Sequence, residues 1–435
     1  MASPLDNLDR YLLITADSHA GASPEGYGPY IDKKWKNDYD EWLKQSAELA
    51  KMMRQVMGNR SIGVDGDPEI DGDRNWDSAR RLRETEADGV VAEVIFPNTA
   101  PPFAPTMMSE FGEAELGKDH EKRWAGIRAH NRWLADYCSE EPDRRAGIAQ
   151  IFLPFVEESV QEIHWAKENG LTGGVLLPGA PPGEGVEPLY SPAYEPIFAT
   201  CAELGMPLNH HTGGATPNFG NYLPQSLAMF MLEVQWWAYR SLWHLMFSGV
   251  FERYPKLDFV LTETGIGWVP SVLKQLDHFY HRMKTNDQCS EHIFGRPTVD
   301  KLSLTPSEYF DRQVHVGASF IPPAECSMRN QIGIEKVMWG SDYPHVEGSH
   351  PYTREHLRHS FAGVAPDEIQ QMCALNAARV YGFDLEKLAP IAARVGPTRA
   401  EISEPLDLGT LPREAQKCPA FGDTDLTPPP LASVA

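Results

Sequence analysis

The sequence has few of the features that mark a secreted or disulfide-rich protein. Its 435 residues include only six cysteines, which are spread from Cys138 to Cys418 with no Cys-x-x-Cys motif. In a chain of this length, such cysteines are typical of reduced thiols in a cytosolic protein. The first ten residues, MASPLDNLDR, have neither the basic nor the apolar segment of a signal peptide. We therefore expect a cytoplasmic protein.

Positive charge is also scarce. The chain has 39 Lys and Arg residues against 61 Asp and Glu residues, which gives a formal net charge of −22. A surface that binds nucleic acid or an anionic membrane must be locally basic, so we expect neither partner. A small anionic substrate is not excluded, because it responds to the local field of a cleft. The hydrophobic fraction of 42% excludes a wholly disordered chain.

Long uninterrupted apolar runs are absent as well. The segment from Ala228 to Phe251 comes nearest to a membrane span, but Glu233, Arg240 and His244 interrupt it. Charged residues at the centre of a lone span are penalised. The segment is better interpreted as a helix that is buried or lies at a subunit interface.

What the sequence does contain is a series of short apolar runs separated by segments of helical periodicity. Such runs, bounded by Gly, Pro or charged residues, are typical of parallel strands buried on both faces. Eight strands that alternate with helices predict a (β/α)₈ TIM barrel in the α/β class. The eight predicted strands are 11–17, 90–96, 146–152, 173–177, 207–211, 257–262, 313–317 and 337–341.

Two regions exceed a minimal barrel. Residues 18–89 form a long insertion after the first strand, with a predicted helix over Trp35–Val56 and a Gly/Asp-rich stretch, Gly63–Gly72, suited to a lid. Residues 396–435 are rich in Pro and polar residues, and we expect an irregular tail that packs on a neighbouring subunit or stays mobile. The predicted organisation is thus a barrel domain over 1–395 followed by this tail.

Chemistry-bearing residues stand at the ends of several predicted strands. Catalytic groups of a parallel barrel gather at the carboxyl ends of its strands. The first strand ends in Asp17-Ser18-His19, and residues two apart on an extended chain point the same way, so both side chains can address one ion. The fifth strand ends in His210-His211, of which one histidine should face the mouth.

The sixth and eighth strands end in carboxylates. Glu263 begins Glu-Thr-Gly-Ile-Gly-Trp, and Asp342 lies within Gly-Ser-Asp-Tyr-Pro-His. An aspartate at the exit of the last strand can bind a metal ion and exchange protons with its bound water. Together the strand ends supply the nitrogen and oxygen ligands of a mixed metal centre, which suits zinc, manganese or iron.

These residues also carry a resemblance. The chain resembles the amidohydrolase superfamily, and in particular its amidohydrolase-related, aminocarboxymuconate-semialdehyde decarboxylase-like branch, over roughly Leu12 to Phe383. The segments that carry the resemblance are Asp17-x-His19, His211-Thr212-Gly213, Glu263 to Trp268, Gly340 to His345 and Asn376 to Gly382.

The resemblance implies a metal-dependent TIM-barrel hydrolase or non-oxidative decarboxylase that acts on small ring or ring-derived carboxylated compounds, often as a homodimer. It implies Asp17, His19, His211 and Asp342 as ligands of one divalent ion, with zinc placed before manganese and iron. One departure stands out, because decarboxylases of this branch usually carry a histidine where this chain has Glu263.

Our first hypothesis is a hydrolase in which the metal ion activates a water molecule. Asp342 or Glu263 takes the proton of that water, and His211 completes the catalytic set. Predicted substrate contacts are His315, His345, Trp268 and Arg354.

Two alternatives remain. One is decarboxylation, in which the ion binds a carboxylate and Asp342 protonates the ring carbon. Asp17 favours this reaction, and Glu263 weighs against it. The other is a barrel that has lost catalysis and serves as a binding or scaffold subunit.

Overall fold

The fold is an α/β barrel of parallel strands. The computed structural model describes Leu5 and residues 8–57, 71–98, 101–104, 120–182, 185–220 and 222–421. The strands are β1 Leu13–Ala20, β2 Val90–Pro97, β3 Arg145–Gly147, β4 Ala149–Gln150, β5 Val175–Leu176, β6 Leu208–His211, β7 Phe259–Thr262, β8 Val314–Ala318 and β9 Val337–Trp339.

The strands follow one another in chain order around the barrel. Strands β1 to β3 form one parallel sheet and β4 to β9 another. Only Ile148 separates β3 from β4, and its amide still bonds Ile95 of β2, so the two are one interrupted strand. The first and last strands are also joined, because the Asp342 amide after β9 donates to the Asp17 carbonyl of β1 at 2.9 Å and Ser18 pairs in parallel with Tyr343. The chain beyond β9 thus lies against β1, and the predicted TIM-barrel class is confirmed.

Every residue of β1 and all but the last of β2 are buried. This is expected of parallel strands that are covered on the outside by helices and on the inside by the other strands. Thr262 of β7 is in register with both His211 of β6 and Gly317 of β8, so these three strands end at the same level. That level is the carboxyl mouth of the barrel.

Helices connect the strands and surround them. Local signals begin and end several of them: Asp77 accepts a hydrogen bond from the Arg80 amide at the start of α2, and Gly382 ends α15 in the left-handed conformation. The helices are α1 Lys36–Met57, α2 Ser78–Ala87, α3 His120–Ser139, α4 Val156–Glu168, α5 Glu195–Leu204, α6 Gln225–Phe247, α7 Val250–Arg253, α8 Val269–Thr285, α9 Ser290–Val299, α10 Pro306–Gln313, α11 Pro323–Cys326, α12 Arg329–Ile332, α13 Thr353–Ser360, α14 Pro366–Gln370, α15 Asn376–Tyr381, α16 Leu385–Val395 and α17 Arg399–Ser403.

The helix predicted in the insertion corresponds to α1, whereas most of the Gly63–Gly72 stretch lies outside the described residues. The described part of the predicted tail, 396–421, packs on its own chain. The Arg399 amide donates to the Asp9 carbonyl, and Phe421 stacks on His359 of α13 with ring centroids 5.6 Å apart. The tail beyond Phe421 lies outside the described residues.

Helix α6 covers most of the apolar segment noted in the sequence. Its second half is buried at Leu242 and Leu245, but Met231 and Leu232 in its first half are 71% and 75% exposed. Within the described ranges, no helix combines the length and apolar character that crossing a bilayer requires.

Candidate metal centre

Asp17 and His19, near the end of β1, both point into the mouth. Both are buried, and the Asp17 Oδ1 atom lies 3.3 Å from His19 Nε2. His19 Nδ1 lies 3.1 Å from the Pro97 carbonyl oxygen, which can only accept, so Nδ1 carries the hydrogen and Nε2 presents its lone pair. The Ser319 hydroxyl, which sequence reasoning missed, donates to Asp17 Oδ2 and holds the carboxylate.

Of the two histidines that end β6, His211 is the one that faces this pair. Its Nε2 atom lies 3.4 Å from Asp17 Oδ1, and its Nδ1 donates to the Thr212 carbonyl at 2.9 Å. His210 points the opposite way, donates from Nδ1 to the Leu177 carbonyl, and lies in a small cavity with Trp237 of α6. Successive residues of a strand face opposite sides, so the alternation separates the two rings.

Asp342 reaches the same point from the loop after β9. It is fully buried, and its Oδ1 atom lies 3.3 Å from His19 Nε2. Its φ of 56° is in the left-handed region, which residues other than glycine rarely adopt. Gly340 permits this close approach, because a Cβ at that position would lie 2.7 Å from the Asp17 Cβ.

The donors at this point fit a divalent metal ion. His19 Nε2 and both carboxylate oxygens of Asp342 are buried, and among the described residues none of these three atoms has a hydrogen-bond partner. Asp17, His19 and His211 offer ligand atoms within 4.8 Å of one another, and Asp342 joins through His19. Two imidazole nitrogens whose other nitrogens donate to carbonyls, with two carboxylates, form the donor set of a mixed nitrogen and oxygen site.

The pKa shifts of Asp17 and His19 indicate a site that is suited to a bound cation. Burial by itself would raise the pKa of Asp17, but hydrogen bonds to His19 and His211 hold it far below its usual value. Burial would lower the pKa of His19, but the carboxylates of Asp17 and Asp342 raise it well above normal. Without an ion the site therefore favours a proton on His19, at the nitrogen that would bind the metal.

Glu263 stands immediately after β7, also with a left-handed backbone at a φ of 58°. Its Oε2 atom lies 3.5 Å from His211 Nδ1, and its side chain is 19% exposed. Burial and the negative charges of Asp342 and Asp17 raise its pKa well above the usual range. This carboxyl group therefore lies at the mouth, as predicted, beside the four-residue donor set.

Among the predicted substrate contacts, His345 lies in the site. Its ring stacks on His19 with centroids 3.9 Å apart, and its Nδ1 atom lies 2.8 Å from Asp342 Oδ1. Glu347, two residues further on, was missed by sequence reasoning, although a carboxylate that follows the His345 motif was a signal available in the sequence. Its ligand atom lies within 4.8 Å of those of Glu263, Asp342 and His345.

The structure places His315 and Arg354 elsewhere, which corrects two predicted substrate contacts. His315 is the second residue of β8, so it lies at the amino end of the barrel, where its Nε2 atom is 2.9 Å from Asp258 Oδ1. Arg354 on α13 pairs with Glu401 and donates to the Val395 carbonyl.

Trp268 has a packing role in the structure. Its indole stacks on Tyr239 of α6 at a centroid distance of 4.4 Å, and its N–H donates to the Gly265 carbonyl. These contacts hold the turn that follows Glu263, and they join β7 to α6. The tryptophan therefore supports the loop that carries Glu263.

A small cavity opens directly over the donor set. Its volume is about 170 Å³, and His19 and His211 form one side while Phe96, Leu176 and Leu177 supply apolar walls. An apolar cavity of about 150 Å³ is large enough to bind benzene. A larger cavity of about 550 Å³ lies outside the barrel and is lined by residues of α6, α8 and α9, but it contains none of the donor set.

Comparisons with known proteins place these features in a family. The amidohydrolase family model matches residues 70–383. The chain is 25% identical to gamma-resorcylate decarboxylase of Rhizobium radiobacter over 240 residues, which cover 52% of this chain and 68% of that protein. It is 24% identical to 2-amino-3-carboxymuconate-6-semialdehyde decarboxylase of Dictyostelium discoideum over 336 residues, which cover 76% of this chain and 82% of the relative.

The fold is also that of solved structures. The 5-carboxyvanillate decarboxylase of Novosphingobium aromaticivorans, crystallised with manganese and 4-hydroxy-3-methoxy-5-nitrobenzoic acid, superposes with a TM-score of 0.61 at 19% identity. The match covers 86% of this chain and 97% of that one. Since the matched family and its named relatives are enzymes, the protein is an enzyme and not the scaffold considered above. The chain belongs to the amidohydrolase family, in its amidohydrolase-related, aminocarboxymuconate-semialdehyde decarboxylase-like branch.

Proposed function

We propose that the protein is a divalent-metal-dependent, non-oxidative decarboxylase of a small aromatic or ring-derived carboxylic acid. The observation that carries the proposal is the convergence of Asp17, His19, His211 and Asp342 beneath a ring-sized apolar cavity. The relatives named above are decarboxylases, and this supports decarboxylation over the hydrolysis that we placed first from the sequence. Hydrolysis stays an unconfirmed prediction.

In this proposal, Asp17, His19, His211 and Asp342 would hold the ion. When bound, the ion would act as a Lewis acid toward an oxygen of an anionic substrate. Manganese replaces zinc as our first choice, because a solved relative of the same fold was crystallised with manganese. Mixed carboxylate and imidazole ligands suit either ion.

The chain's own residues orient the ring and move one proton. Phe96, Leu176 and Leu177 hold the ring and exclude water from one side of the cavity. Asp342 takes up a proton from solvent and delivers it to the ring carbon that bears the carboxylate. The bond between that carbon and the carboxylate then breaks, its electron pair restores the ring, and CO₂ leaves. The balance is one carboxylate and one proton in, and one arene and one CO₂ out.

The test is CO₂ release from hydroxybenzoic and related ring acids by the manganese-loaded protein. We expect Asp342→Asn to lower kcat by about 10²- to 10⁴-fold, the usual contribution of a positioned acid or base. Asp258→Asn, at the opposite end of the barrel, is the matched control and should keep near-normal turnover.

The proposal is wrong if none of the ring acids tested releases CO₂ and the protein hydrolyses an ester or amide instead. Turnover in ¹⁸O-labelled water separates the reactions, because hydrolysis places label in the product and decarboxylation has no such requirement. Near-normal kcat in the Asp342→Asn protein would overturn the role given to that residue.

The predicted homodimer belongs to the same proposal. Leu227, Met231 and Leu232 of α6, with Tyr222 and Leu223 before it, form an exposed apolar surface. Contiguous exposed apolar surface marks interaction sites. Light scattering of the wild type should give twice the mass of the 48.6 kDa chain. The double variant Met231→Lys/Leu232→Glu should have half the wild-type mass. A monomeric wild type would contradict this prediction.

A further inference from the structure

The cavity of about 550 Å³ outside the barrel, which we call the outer cavity, lies between α6, α8 and α9. Trp243 and Phe247 of α6, with Leu276 and Phe279 of α8, give it a mostly apolar and aromatic lining. Small-molecule sites have volumes of about 300–1,000 Å³ and walls of this kind, with a few polar groups that orient the ligand. The outer cavity shares no residue with the donor set at the mouth.

The outer cavity has a polar edge, which is formed by Tyr190 and His244. Tyr190 lies between β5 and α5, and its ring meets the His244 ring at an angle of 77°, with centroids 5.1 Å apart. His244 also lines a much smaller cavity of about 10 Å³, which lies between α6 and the outer face of β6. This histidine therefore stands between an apolar space and a polar one.

Three basic side chains, those of His210, Arg240 and His244, line the smaller cavity. His210 is fully buried, and since its Nδ1 donates to the Leu177 carbonyl, its Nε2 presents a lone pair. Among the described residues, that Nε2 atom has no hydrogen-bond partner. The smaller cavity is about the size of one water molecule, which can donate one hydrogen to His210 and the other to an anion at the edge of the outer cavity.

Arg240 is the cation of this group. Burial, together with the nearby charge of Arg240, lowers the pKa of His244 to about 4, so that imidazole is neutral near pH 7. The Arg240 guanidinium stacks on two indoles, 4.5 Å from the ring centroid of Trp237 and 5.3 Å from that of Trp236. Stacking leaves the N–H groups at the edge of a guanidinium available to an acceptor. Across the described ranges, no Asp or Glu side chain forms an ion pair or hydrogen bond with Arg240.

Helical spacing puts Arg240 at the polar edge of the outer cavity. Arg240 precedes Trp243 and His244 by three and four residues on α6, and residues at these spacings are neighbours on one face of a helix. Burial lowers the pKa of Arg240 and the charge of Tyr190 raises it, which also indicates that the guanidinium lies near this edge. The outer cavity therefore combines apolar walls with one cation at one side.

We propose that the outer cavity binds an amphipathic carboxylate, whose ring or acyl chain packs on Trp243 and Phe247 and whose carboxylate pairs with Arg240. A guanidinium and a carboxylate form two parallel hydrogen bonds, which orient the ligand as well as bind it. The single positive charge matches the single negative charge of a carboxylate. The site accounts for an arginine within an otherwise apolar stretch of α6, and its ligand makes no contact with the donor set at the mouth.

The test is the binding of 2-naphthoate to the full-length protein, measured by isothermal titration calorimetry. The protein is first treated with a chelator, so that a metal ion at the mouth does not contribute to binding. We expect one molecule per wild-type chain, and about 10- to 100-fold weaker binding to Arg240→Met, which keeps an apolar stem but removes the charge. The neutral analogue 2-naphthylmethanol should bind the two proteins equally.

The matched control is Arg83→Met, at an exposed position of α2, which should keep the wild-type affinity. Leu276→Trp narrows the outer cavity and should weaken the binding of both ligands. It provides a second variant if Arg240→Met impairs folding, which circular dichroism reports. Absence of 2-naphthoate binding by the wild type, or equal affinity of the wild type and Arg240→Met for it, overturns the inference. A wild type that binds no 2-naphthoate, and a dimer that Leu276→Trp dissociates, would overturn it and assign the cavity to a second copy of the chain.

Discussion

Two residues of the site, Glu263 and Asp342, adopt an unfavourable backbone conformation that positions their side chains. Both have a φ near +57°, and both follow directly on a barrel strand or its exit loop. A left-handed conformation costs a residue with a Cβ roughly 1–2 kcal/mol, and strain of this kind concentrates at functional sites. The strained backbone turns each carboxylate back over the mouth, where a cation in the proposed site would offset the cost.

The strain at Glu263 can be measured with two substitutions. Glu263→Ala removes the carboxylate but keeps the Cβ, whereas Glu263→Gly removes both. We expect the chelator-treated Gly variant to be about 0.5–1 kcal/mol more stable than the Ala variant, after the entropy of glycine in the unfolded chain is counted. Urea unfolding of both variants measures the difference. If the two midpoints coincide, the backbone at Glu263 is not strained.

At the scale of elements, α2 in the insertion is joined to the barrel by a buried ion pair. Arg81 is fully buried and donates to both carboxylate oxygens of Glu93 on β2 at 2.7–3.0 Å. It also donates to the backbone carbonyl of His19 at 2.6 Å. One guanidinium group thus connects the insertion, two strands and a proposed metal ligand.

Arg81→Met should therefore affect both stability and metal binding. Removing one partner of a buried ion pair costs about 3–5 kcal/mol, because the remaining charge stays buried. We expect this loss in urea unfolding, together with weaker manganese binding by calorimetry, since the His19 carbonyl loses its donor. Arg83→Met, at an exposed position of the same helix, should stay within about 0.5 kcal/mol of wild type. A loss below 1 kcal/mol for Arg81→Met would contradict the role given to the pair.

At the scale of the whole molecule, several histidines are buried as neutral rings far from the mouth. Burial lowers the pKa of His130 to about 3 and that of His356 to about 4. In the unfolded chain both groups titrate near 6.5. Between pH 6.5 and 4 the unfolded state therefore binds more protons than the folded state, so stability falls as the pH is lowered through this window.

His356→Gln should reduce this acid sensitivity. One histidine with these two pKa values contributes a slope approaching about 1 kcal/mol per pH unit between pH 6 and 5. We expect the free energy of unfolding to fall less steeply in the variant, as measured by urea unfolding at several pH values. His281→Gln, at an exposed position, should leave the slope unchanged. A variant slope equal to that of the wild type would show that His356 is not neutral in the folded state.

The barrel itself was predictable because buried parallel strands leave a strong local pattern. The eight predicted strands overlap the observed ones, since each is a short apolar run with a polar or glycine boundary. The site was less predictable. His315 lies at the amino end of β8, away from the residues at the mouth. The alternation of side chains along a strand indicates which face a residue occupies, but it does not indicate how far the residue lies from the mouth. Arg354 was misplaced because its partner, Glu401, lies 47 positions away in the sequence.

The sequence alone determined which residue types stand at the strand ends, and hence that a cation site at one barrel rim was possible. Tertiary structure decided that His211 and not His210 turns inward, that Glu347 lies beside Asp342, and that hydrogen bonds from Asn75 of the insertion through Asn98 orient the His345 ring. The reason is physical. Strand identity is encoded by neighbouring side chains, whereas a ligand set depends on distances between atoms that only the folded barrel brings together.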